Sequence, residues 1–242
     1  MKLEHIFITT YNKRLYDEYA KNLVDTFVKT KQALPLYIFV EDDINYFKKI
    51  DGITYLNLFE EEPELKKFVE RNKSEKSKSF TLDAVRFSYK VFAQNAARKY
   101  GKKIYYVDSD CVFEKQIPNN WYDECLPDDV FLSFYDRPNQ YTETGFVAFN
   151  ENKLISKEFF NHYINYYKED KVFKLNGYTD CHTLDATRKY FEKNTHYKEK
   201  KLGDGGHGHI MARDNFIHSY IDHRKGKRKH KQNSPEWVEN KR

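Results

Sequence analysis

The fold of this chain is decided by the stretch Ile104-Tyr105-Tyr106-Val107-Asp108-Ser109-Asp110. Its β-branched and aromatic residues predict a buried strand, and two carboxylates follow where that strand ends. Asp108 and Asp110 converge if the backbone stays extended, or straddle an ion if a turn begins at Ser109. Carboxylate ligands favour Mg²⁺ or Mn²⁺. A turn with two solvated acids is the alternative, and the buried strand in front of the pair favours the metal site.

The composition predicts a folded α/β protein. The 242 residues include 20 Tyr and 19 Phe, which supply a sizeable core. No run approaches the roughly 18 to 20 apolar residues of a membrane span, and the first residues lack the apolar segment of a signal peptide. The three cysteines have no metal-type spacing and do not indicate a disulfide framework. We therefore expect a cytoplasmic protein without a transmembrane segment.

The positive charge is concentrated at the carboxy-terminal end. The net charge is +5, and residues 222–242 carry eight Lys or Arg against three acids, so this segment accounts for the whole excess. Concentrated positive charge indicates a phosphate-bearing partner, which can be a nucleotide, a nucleic acid or an anionic surface.

Apolar patterns predict the other main elements. Further strands are expected at His5–Thr10, Leu34–Val40, Ile53–Leu56, Val130–Phe134 and Gly145–Phe149. Helices are expected near Ile44 and over Phe80–Tyr100, Phe159–Tyr167 and the segment starting at Thr179. No regular structure is expected over Glu60–Glu64 or Ile117–Asp129.

Two polar segments follow predicted strands, where ligands bind in open α/β sheets. Thr9, Thr10 and Tyr11 can hold a base or ribose, with Tyr11 stacking on the base, although an ordinary turn and helix cap explains them equally well. The acids at residues 41–43 are interpreted as a helix cap. His207 and His209, in a glycine-rich stretch, are weaker candidate metal ligands.

Four motifs follow one another along residues 80–230. They are Asp83-Ala84-Val85-Arg86-Phe87 with the Asp108-x-Asp110 pair, Glu143-Thr144-Gly145-Phe146-Val147-Ala148-Phe149-Asn150, Asp180-Cys181-His182-Thr183-Leu184-Asp185, and His223-x-x-Gly226-x-x-Lys229. In these motifs the chain resembles the nucleotide-sugar-dependent glycosyltransferases of the GT-A fold, most closely the retaining family 8 that includes glycogenin and bacterial lipooligosaccharide galactosyltransferases. Cys181 stands where that family has glutamine, and Glu143 where it has asparagine.

The resemblance implies a fold and a cofactor. The fold is the α/β, Rossmann-like GT-A fold with a mixed central sheet over residues 1–221, and residues 222–242 form a basic loop or lid over the nucleotide diphosphate. Mn²⁺ or Mg²⁺ would be held by Asp108, Asp110 and His223. The donor would be a nucleotide sugar, with a UDP-sugar expected.

The resemblance also implies roles for other residues. Gly226 and Lys229 would meet the diphosphate with help from Arg86, and Ser109 would contact the nucleotide. Asp180 or Glu143 would orient or stabilise the reacting sugar, with retention of configuration. The acceptor would be a glycan or another hydroxyl-bearing molecule.

Three alternatives remain open from the sequence. The first is a nucleic-acid-binding protein that uses the basic segment Arg224–Lys231 on the phosphate backbone and tyrosines on the bases. The second is a glycosyltransferase that acts on a modified base in DNA. The third is a metal-dependent phosphotransferase or nuclease, which would need Glu41, Asp42 and Asp43 on a strand adjacent to the one that ends at Asp108.

Overall fold

The computed structural model describes residues 1–73, 79–137, 140–203, 211 and 215–229. The strands are β1 (Leu3–Tyr11), β2 (Leu36–Val40), β3 (Ile53–Asn57), β4 (Gly101–Val107), β5 (Cys111–Phe113), β6 (Leu132–Tyr135), β7 (Glu143–Asn150), β8 (Glu199–Gly203) and β9 (Ile221–His223). The α-helices are α1 (Lys13–Leu15), α2 (Lys21–Lys29), α3 (Leu58–Glu61), α4 (Pro63–Arg71), α5 (Ala84–Ala97), α6 (Asn119–Cys125), α7 (Ser156–Lys168), α8 (Asp180–Asn194) and α9 (Asn215–His218). A π-helical segment, Tyr16–Ala20, joins α1 to α2, and short 3-10 turns cover Ile44–Tyr46, Phe80–Leu82, Lys171–Lys174 and Gly226–Lys229.

The central sheet is mixed. Its seven strands lie in the order β3-β2-β1-β4-β7-β6-β8. All neighbouring pairs are parallel except those of β7, which is antiparallel to both β4 and β6. Strands β5 and β9 form a separate antiparallel ribbon. The expected α/β class with a mixed central sheet is therefore confirmed.

The reversed direction of β7 places its beginning at the carboxyl end of β4. Tyr106 pairs with Val147 and Val107 pairs with Phe146. The Asp108 amide then donates to the Gly145 carbonyl at 2.9 Å. Residues far apart in sequence thus meet where the acidic pair leaves the sheet.

Each face of the sheet buries its own apolar cluster. In β1, Ile6 and Ile8 face a cluster that includes residues of α5, α7 and α8, while Phe7 and Tyr11 face a cluster with residues of α2 and α6. Burial on both faces explains why the strands are nearly continuous apolar runs rather than alternating ones. Among the described residues, no helix is both long and apolar enough to cross a bilayer.

Two predicted helices are shorter than expected. The helix near Ile44 is a single 3-10 turn, Ile44–Tyr46, whose cap is Asp43. The expected helix Phe80–Tyr100 is interrupted at Asp83, because the Asp83 carboxylate accepts from the Arg86 amide and starts α5 at Ala84. Asp83 therefore contacts the backbone of Arg86.

Two segments that were expected to be irregular contain helices, and one strand, β8, was not predicted. Glu60–Glu64 lies within α3 and the start of α4, and Ile117–Asp129 contains α6. Strand β8 is half exposed and charged, so it lacks the apolar signature of the other strands. All three are defined by tertiary packing rather than by local periodicity, as the burial of Trp121 and Cys125 in α6 illustrates.

Glu62 is an acid buried in this fold away from the carboxyl ends of the strands. Only 7% of it is exposed, and its Oε1 accepts from Asn95 Nδ2 at 2.7 Å. Burial raises the pKa of Glu62 from 4.5 to about 7, although the Asn95 hydrogen bond opposes the shift. The folded state therefore binds the proton of the Glu62 carboxyl more tightly than the unfolded state does. This contribution to the free energy of unfolding is complete below pH 4.5 and is lost as the pH rises through about 7.

We expect Glu62→Gln to remove this pH-dependent loss, since Gln keeps the acceptor for Asn95 and never ionises. The variant and the wild type should unfold with similar free energies near pH ~4. Near pH ~8 the variant should be more stable by up to about 3 kcal/mol. Urea unfolding at both pH values measures the difference, and equal stabilities near pH ~8 would contradict the prediction.

Candidate functional site

One cleft of about 690 Å³ lies at the carboxyl ends of β1, β2 and β4. The beginnings of β7 and α8, one side of α5 and the segment after β9 complete its wall. Because the strands of this half of the sheet are parallel, their carboxyl ends open onto the same edge. The cleft is therefore lined by side chains from residues as far apart as Thr10 and Lys229.

The acidic pair and a histidine form the centre of the cleft. The Cys111 amide donates to the Asp108 carbonyl at 2.9 Å, so a turn begins directly after β4. His223 Nε2 lies 3.1 Å from Asp110 Oδ1 and 3.6 Å from Asp108 Oδ2. Burial would lower the pKa of His223, but the carboxylate of Asp110 outweighs it and raises that pKa.

The β5–β9 ribbon is what brings His223 to the acids. Cys111 pairs with His223 across the ribbon, and the Arg224 amide donates to the Asp110 carbonyl at 2.9 Å. Arg228 fixes the preceding residue of β9, because its guanidinium donates to both oxygens of buried Asp222 at 2.8 and 2.7 Å. It also donates to the His223 carbonyl at 3.1 Å. The histidine is held by backbone pairing and by this ion pair.

Gly145 leaves room for the imidazole. A Cβ at position 145 would lie 2.6 Å from His223 Cε1 and 2.9 Å from Met211 Sδ. Both contacts are shorter than a real Cβ makes, so a side chain here would force the ring or the strand to move. The glycine of the Glu143–Asn150 motif is therefore explained by close approach to His223.

Lys90 links two of the acids from the α5 side. Its ammonium lies 2.7 Å from Asp108 Oδ1 and 2.7 Å from Asp180 Oδ2. It also lies over the ring of Tyr106, 4.7 Å from the centroid. Burial would lower the pKa of Lys90, but Asp108 and Asp180 raise it well above its ordinary value, so the buried ammonium stays charged.

Lys229 reaches Asp110 from the carboxy-terminal side. Its Nζ lies 2.9 Å from Asp110 Oδ2 and 4.2 Å from the centroid of the Tyr19 ring. Burial would raise the pKa of Asp110, yet His223 and Lys229 lower it strongly. Gly226 begins this 3-10 turn with φ of 63°, a conformation that glycine adopts without strain.

Asp180 begins α8 and is almost fully buried. Thr144 donates its hydroxyl proton to Asp180 Oδ2, the oxygen that Lys90 also contacts. The Cys181 thiol lies 3.0 Å from the same hydroxyl oxygen. Burial raises the pKa of Cys181 to about 12, so it is a neutral thiol on the wall of the cleft.

Glu143 is held ionised at the start of β7. Its Oε1 accepts from the amides of Thr144 and Gly145 at 3.1 and 2.9 Å. Its Oε2 lies 3.1 Å from Arg137 and 3.9 Å from Lys225. Burial would raise the pKa of Glu143, but Lys225, Arg137 and His223 lower it to about 2. A negative charge is therefore fixed beside the acids of β4.

The predicted nucleotide loop is only partly in the cleft. Thr10 lines it, but Thr9 and Tyr11 are fully buried and do not. Tyr11 packs against Tyr16 and Phe47, with ring centroids 5.8 and 5.7 Å away. Tyr11 is therefore not placed to stack on a base in this structure, because its ring lies in the apolar cluster on the α2 and α6 side of the sheet.

The other predicted residues do meet at this cleft. The residues that line it include Arg86, Asp108, Ser109, Asp110, Glu143, Asp180, His223, Gly226 and Lys229. Arg86 lies over the Phe80 ring, with its guanidinium carbon 4.8 Å from the centroid. His207, His209 and residues 230–242 lie outside the described residues.

The donor set suits a hard divalent cation. The two carboxylates are typical ligands of Mg²⁺ or Mn²⁺, and the imidazole beside them favours the transition metal Mn²⁺ over Mg²⁺. Within the described ranges, the three residues whose ligand atoms all lie within 4.8 Å of one another are Asp110, Cys111 and His223. Burial raises the pKa of the Cys111 thiol well above its ordinary value, so it stays protonated and is a poor ligand. We therefore retain Asp108 as the candidate third ligand.

Sequence reasoning missed two contributors to the cleft. No role was predicted for Lys90, although it is the counter-charge of two acids. Glu41 was interpreted as a helix cap, yet its carboxylate lines the cleft. A basic residue on an otherwise apolar helix face was the available signal for Lys90.

Removing Arg228 should be severely destabilising, because it would leave the buried carboxylate of Asp222 without its bidentate partner. We expect Arg228→Ala to lower the free energy of unfolding by about 3–5 kcal/mol. The control is Arg224→Ala, since Arg224 approaches Glu114 and Asp222 only at 3.7 and 3.6 Å. That variant should cost about 1 kcal/mol or less. Equal losses in urea unfolding would show that the Arg228 pair does not anchor β9.

Comparison with known proteins gives distant likenesses only. No protein-family model and no curated protein sequence matches this chain. Mouse xyloside xylosyltransferase 1, in its apo form, is 9% identical with a TM-score of 0.49, over 83% of this chain and 85% of that one. The apo glycosyltransferase GlyE of Streptococcus pneumoniae is 12% identical with a TM-score of 0.48, over 82% of this chain and 45% of that one. Likenesses this distant assign neither family nor activity.

Proposed function

We propose that this protein is a metal-dependent glycosyltransferase of the GT-A fold. It would transfer a sugar from a nucleotide diphosphate sugar, with UDP as the expected nucleotide, to a hydroxyl of a glycan or another acceptor. The observation that carries the proposal is the convergence of Asp108, Asp110 and His223 with two lysines in one cleft at the carboxyl ends of parallel strands. This combination of metal ligands and phosphate-binding cations suits a diphosphate leaving group.

The residues around the acidic pair are best suited to assist departure of the diphosphate leaving group. Mn²⁺ or Mg²⁺ held by Asp108, Asp110 and His223 would supply Lewis-acid neutralisation of the diphosphate. Lys229 contacts Asp110 at 2.9 Å, and a cation at Asp110 would release its ammonium toward the phosphate oxygens. Arg86, on the opposite wall, would add a second positive charge.

The sugar end of the donor would lie beside Asp180. Lys90 and Thr144 hold one carboxylate oxygen of Asp180, which fixes the orientation of the group and leaves the other oxygen to accept from a sugar hydroxyl. Glu143 is ionised in the same wall and would stabilise positive charge that develops on the reacting carbon. Retention of configuration is the outcome that we propose.

The segment after β9 would serve as a cover. Gly226–Lys229 lies against the acidic pair, and the basic residues that follow would extend over the bound diphosphate. Such a cover excludes water that would otherwise hydrolyse the donor.

The competing functions fit the site less well. A nuclease or phosphotransferase would need the acids at residues 41–43 next to Asp108, but β1 separates β2 from β4. A nucleic-acid arm would be weakened because two of its cations, Arg228 and Lys229, form ion pairs with Asp222 and Asp110. Transfer to a base in DNA remains a question about the acceptor, which a salt-dependent DNA-binding assay with and without nucleotide sugar would answer.

The proposal is tested by calorimetry with UDP, GDP and their sugars, each with Mn²⁺ and with EDTA. We expect at least one nucleotide to bind in Mn²⁺, and its affinity to fall about tenfold or more in EDTA. Asp110→Asn and His223→Gln should cause similar losses in the presence of Mn²⁺, because each removes one metal ligand.

The matched control is Asp129→Asn, which changes an exposed carboxylate that pairs with Lys198 on the surface. It should bind the nucleotide as the wild type does. Binding that is unaffected by EDTA would contradict the metal role. Stabilisation by DNA but by no nucleotide would contradict the glycosyltransferase proposal as a whole.

A further inference from the structure

Lys225 is a cation on the wall of the cleft that no carboxylate holds closely. It precedes the 3-10 turn Gly226–Lys229, and its side chain is 44% exposed. Its Nζ lies 3.9 Å from Glu143 Oε2, which is beyond hydrogen-bonding distance. The other lysines that line the described part of the cleft, Lys90 and Lys229, lie 2.7 and 2.9 Å from their carboxylate partners. Lys225 is therefore the lysine that a ligand can engage at the least cost to the protein.

Glu143 does not depend on Lys225 for its hydrogen bonds. Its Oε1 accepts from two backbone amides, and its Oε2 lies 3.1 Å from the guanidinium of Arg137. Lys225 helps to lower the pKa of Glu143 through its charge, at the longer distance of 3.9 Å. The ion pair of Glu143 with Arg137 is thus complete, and Lys225 adds a surplus positive charge beside it. An anion supplied by a ligand would balance that charge.

Two lysines of one short segment lie at different places in the cleft. Gly226, with φ of 63°, turns the chain between Lys225 and Lys229. Lys229 lies beside Asp110, at the end of the cleft where the proposed metal and diphosphate would bind. Lys225 instead lies on the side of Glu143. The charge of Lys225 is therefore directed at a different part of the substrates than the diphosphate.

The wall around Glu143 is where the two substrates would meet. Thr144 follows Glu143 and donates to Asp180, beside which the proposed function places the sugar of the donor. Asp180 is almost fully buried, whereas Lys225 on the same wall is half-exposed. Because the acceptor has to approach the donor sugar from the solvent side, an accessible cation on this wall is placed to meet the acceptor.

We infer that Lys225 selects an acceptor that carries an anionic group, a carboxylate or a phosphate, near the hydroxyl that receives the sugar. The inference rests on the proposed function and specifies its acceptor class. A lysine ammonium is a point charge on a flexible stem, so it pairs with either anion. A neutral acceptor would leave the surplus charge without a partner and would bind less tightly.

The test is ligand-observed NMR on the protein saturated with Mg²⁺ and with UDP or GDP, whichever binds. The probes are matched pairs: methyl glucoside with methyl glucuronide, methyl galactoside with methyl galacturonide, and mannose with mannose 6-phosphate. We expect the anionic member of at least one pair to bind about fivefold or more tightly than the neutral member. This preference should fall as NaCl is raised from about 0.05 to about 0.5 M, since salt screens a partly exposed ion pair.

Lys225→Gln should reduce the preference to less than about twofold, whereas Lys225→Arg should keep it because the charge is retained. The half-exposed side chain makes no close contact with a carboxylate, so the fold is expected to tolerate both changes. Lys157→Gln is the matched control, since Lys157 is an exposed lysine of α7 outside the cleft. The three variants and the wild type should bind the nucleotide equally well, because Lys229 and the proposed metal ligands are unchanged.

The outcomes separate the acceptor inference from the proposed function. If neither UDP nor GDP binds the wild type, the proposed function fails and the inference falls with it. If a nucleotide binds but no anionic probe is preferred, or if Lys225→Gln keeps the preference, the inference is overturned while the glycosyltransferase proposal stands.

Two further results would assign Lys225 to the donor and overturn the inference in the same way. The first is a loss of nucleotide affinity in Lys225→Gln as large as the loss for the anionic probe, which would place the lysine at the diphosphate. The second is a preference for UDP-glucuronate over UDP-glucose that Lys225→Gln removes, which would place it at the donor sugar.

Discussion

Charge compensation around the acids at the end of β4 is the constraint on which the rest of the structure depends. Ionised carboxylates withdrawn from water are costly unless cations lie beside them. Here α5 supplies Lys90, and the 3-10 turn after β9, far along the chain, supplies Lys229, while His223 of β9 lies 3.1 Å from Asp110. The sheet order and the β5–β9 ribbon can therefore be understood as the scaffold that brings these charges together.

The same charge compensation suggests how a cation and a nucleotide diphosphate would bind in the proposed function. In this structure Lys229 is the positive partner of Asp110, and His223 Nε2 lies 3.1 Å from its other oxygen. A divalent cation would compete with them, and a diphosphate would offer the displaced lysine a new partner. A bound cation would free Lys229 for the phosphate, and a bound phosphate would replace the ion pair that Lys229 loses at Asp110. Each ligand would therefore favour binding of the other, and such coupling is reciprocal. In the proposed function, Lys229 would thereby link the carboxy-terminal segment to the nucleotide.

The sequence predicts the strand before the acids, the mixed α/β class and most residues of the cleft, because these depend on local patterns and separated motifs. It does not predict which strand ends meet, since that depends on sheet order. No role was therefore predicted for Lys90, and Glu41 was interpreted as a cap. The placement of Tyr11 was not predictable for a different reason: β1 is buried on both faces, and of Thr9, Thr10 and Tyr11 only Thr10 reaches the cleft.

The cleft is divided between two parts of the chain. Asp108, Asp110, Asp180, the cleft lysines and His223 lie between residues 90 and 229, within the range 80–230 over which the motifs resemble the retaining glycosyltransferases. The side chains at the β1 and β2 end come from the first 41 residues, which the resemblance does not include. The two ends of the cleft are thus encoded in separate parts of the chain. The resemblance consequently supports a proposal about the acidic end of the cleft, whereas the end formed by β1 and β2 has to be interpreted from its own residues.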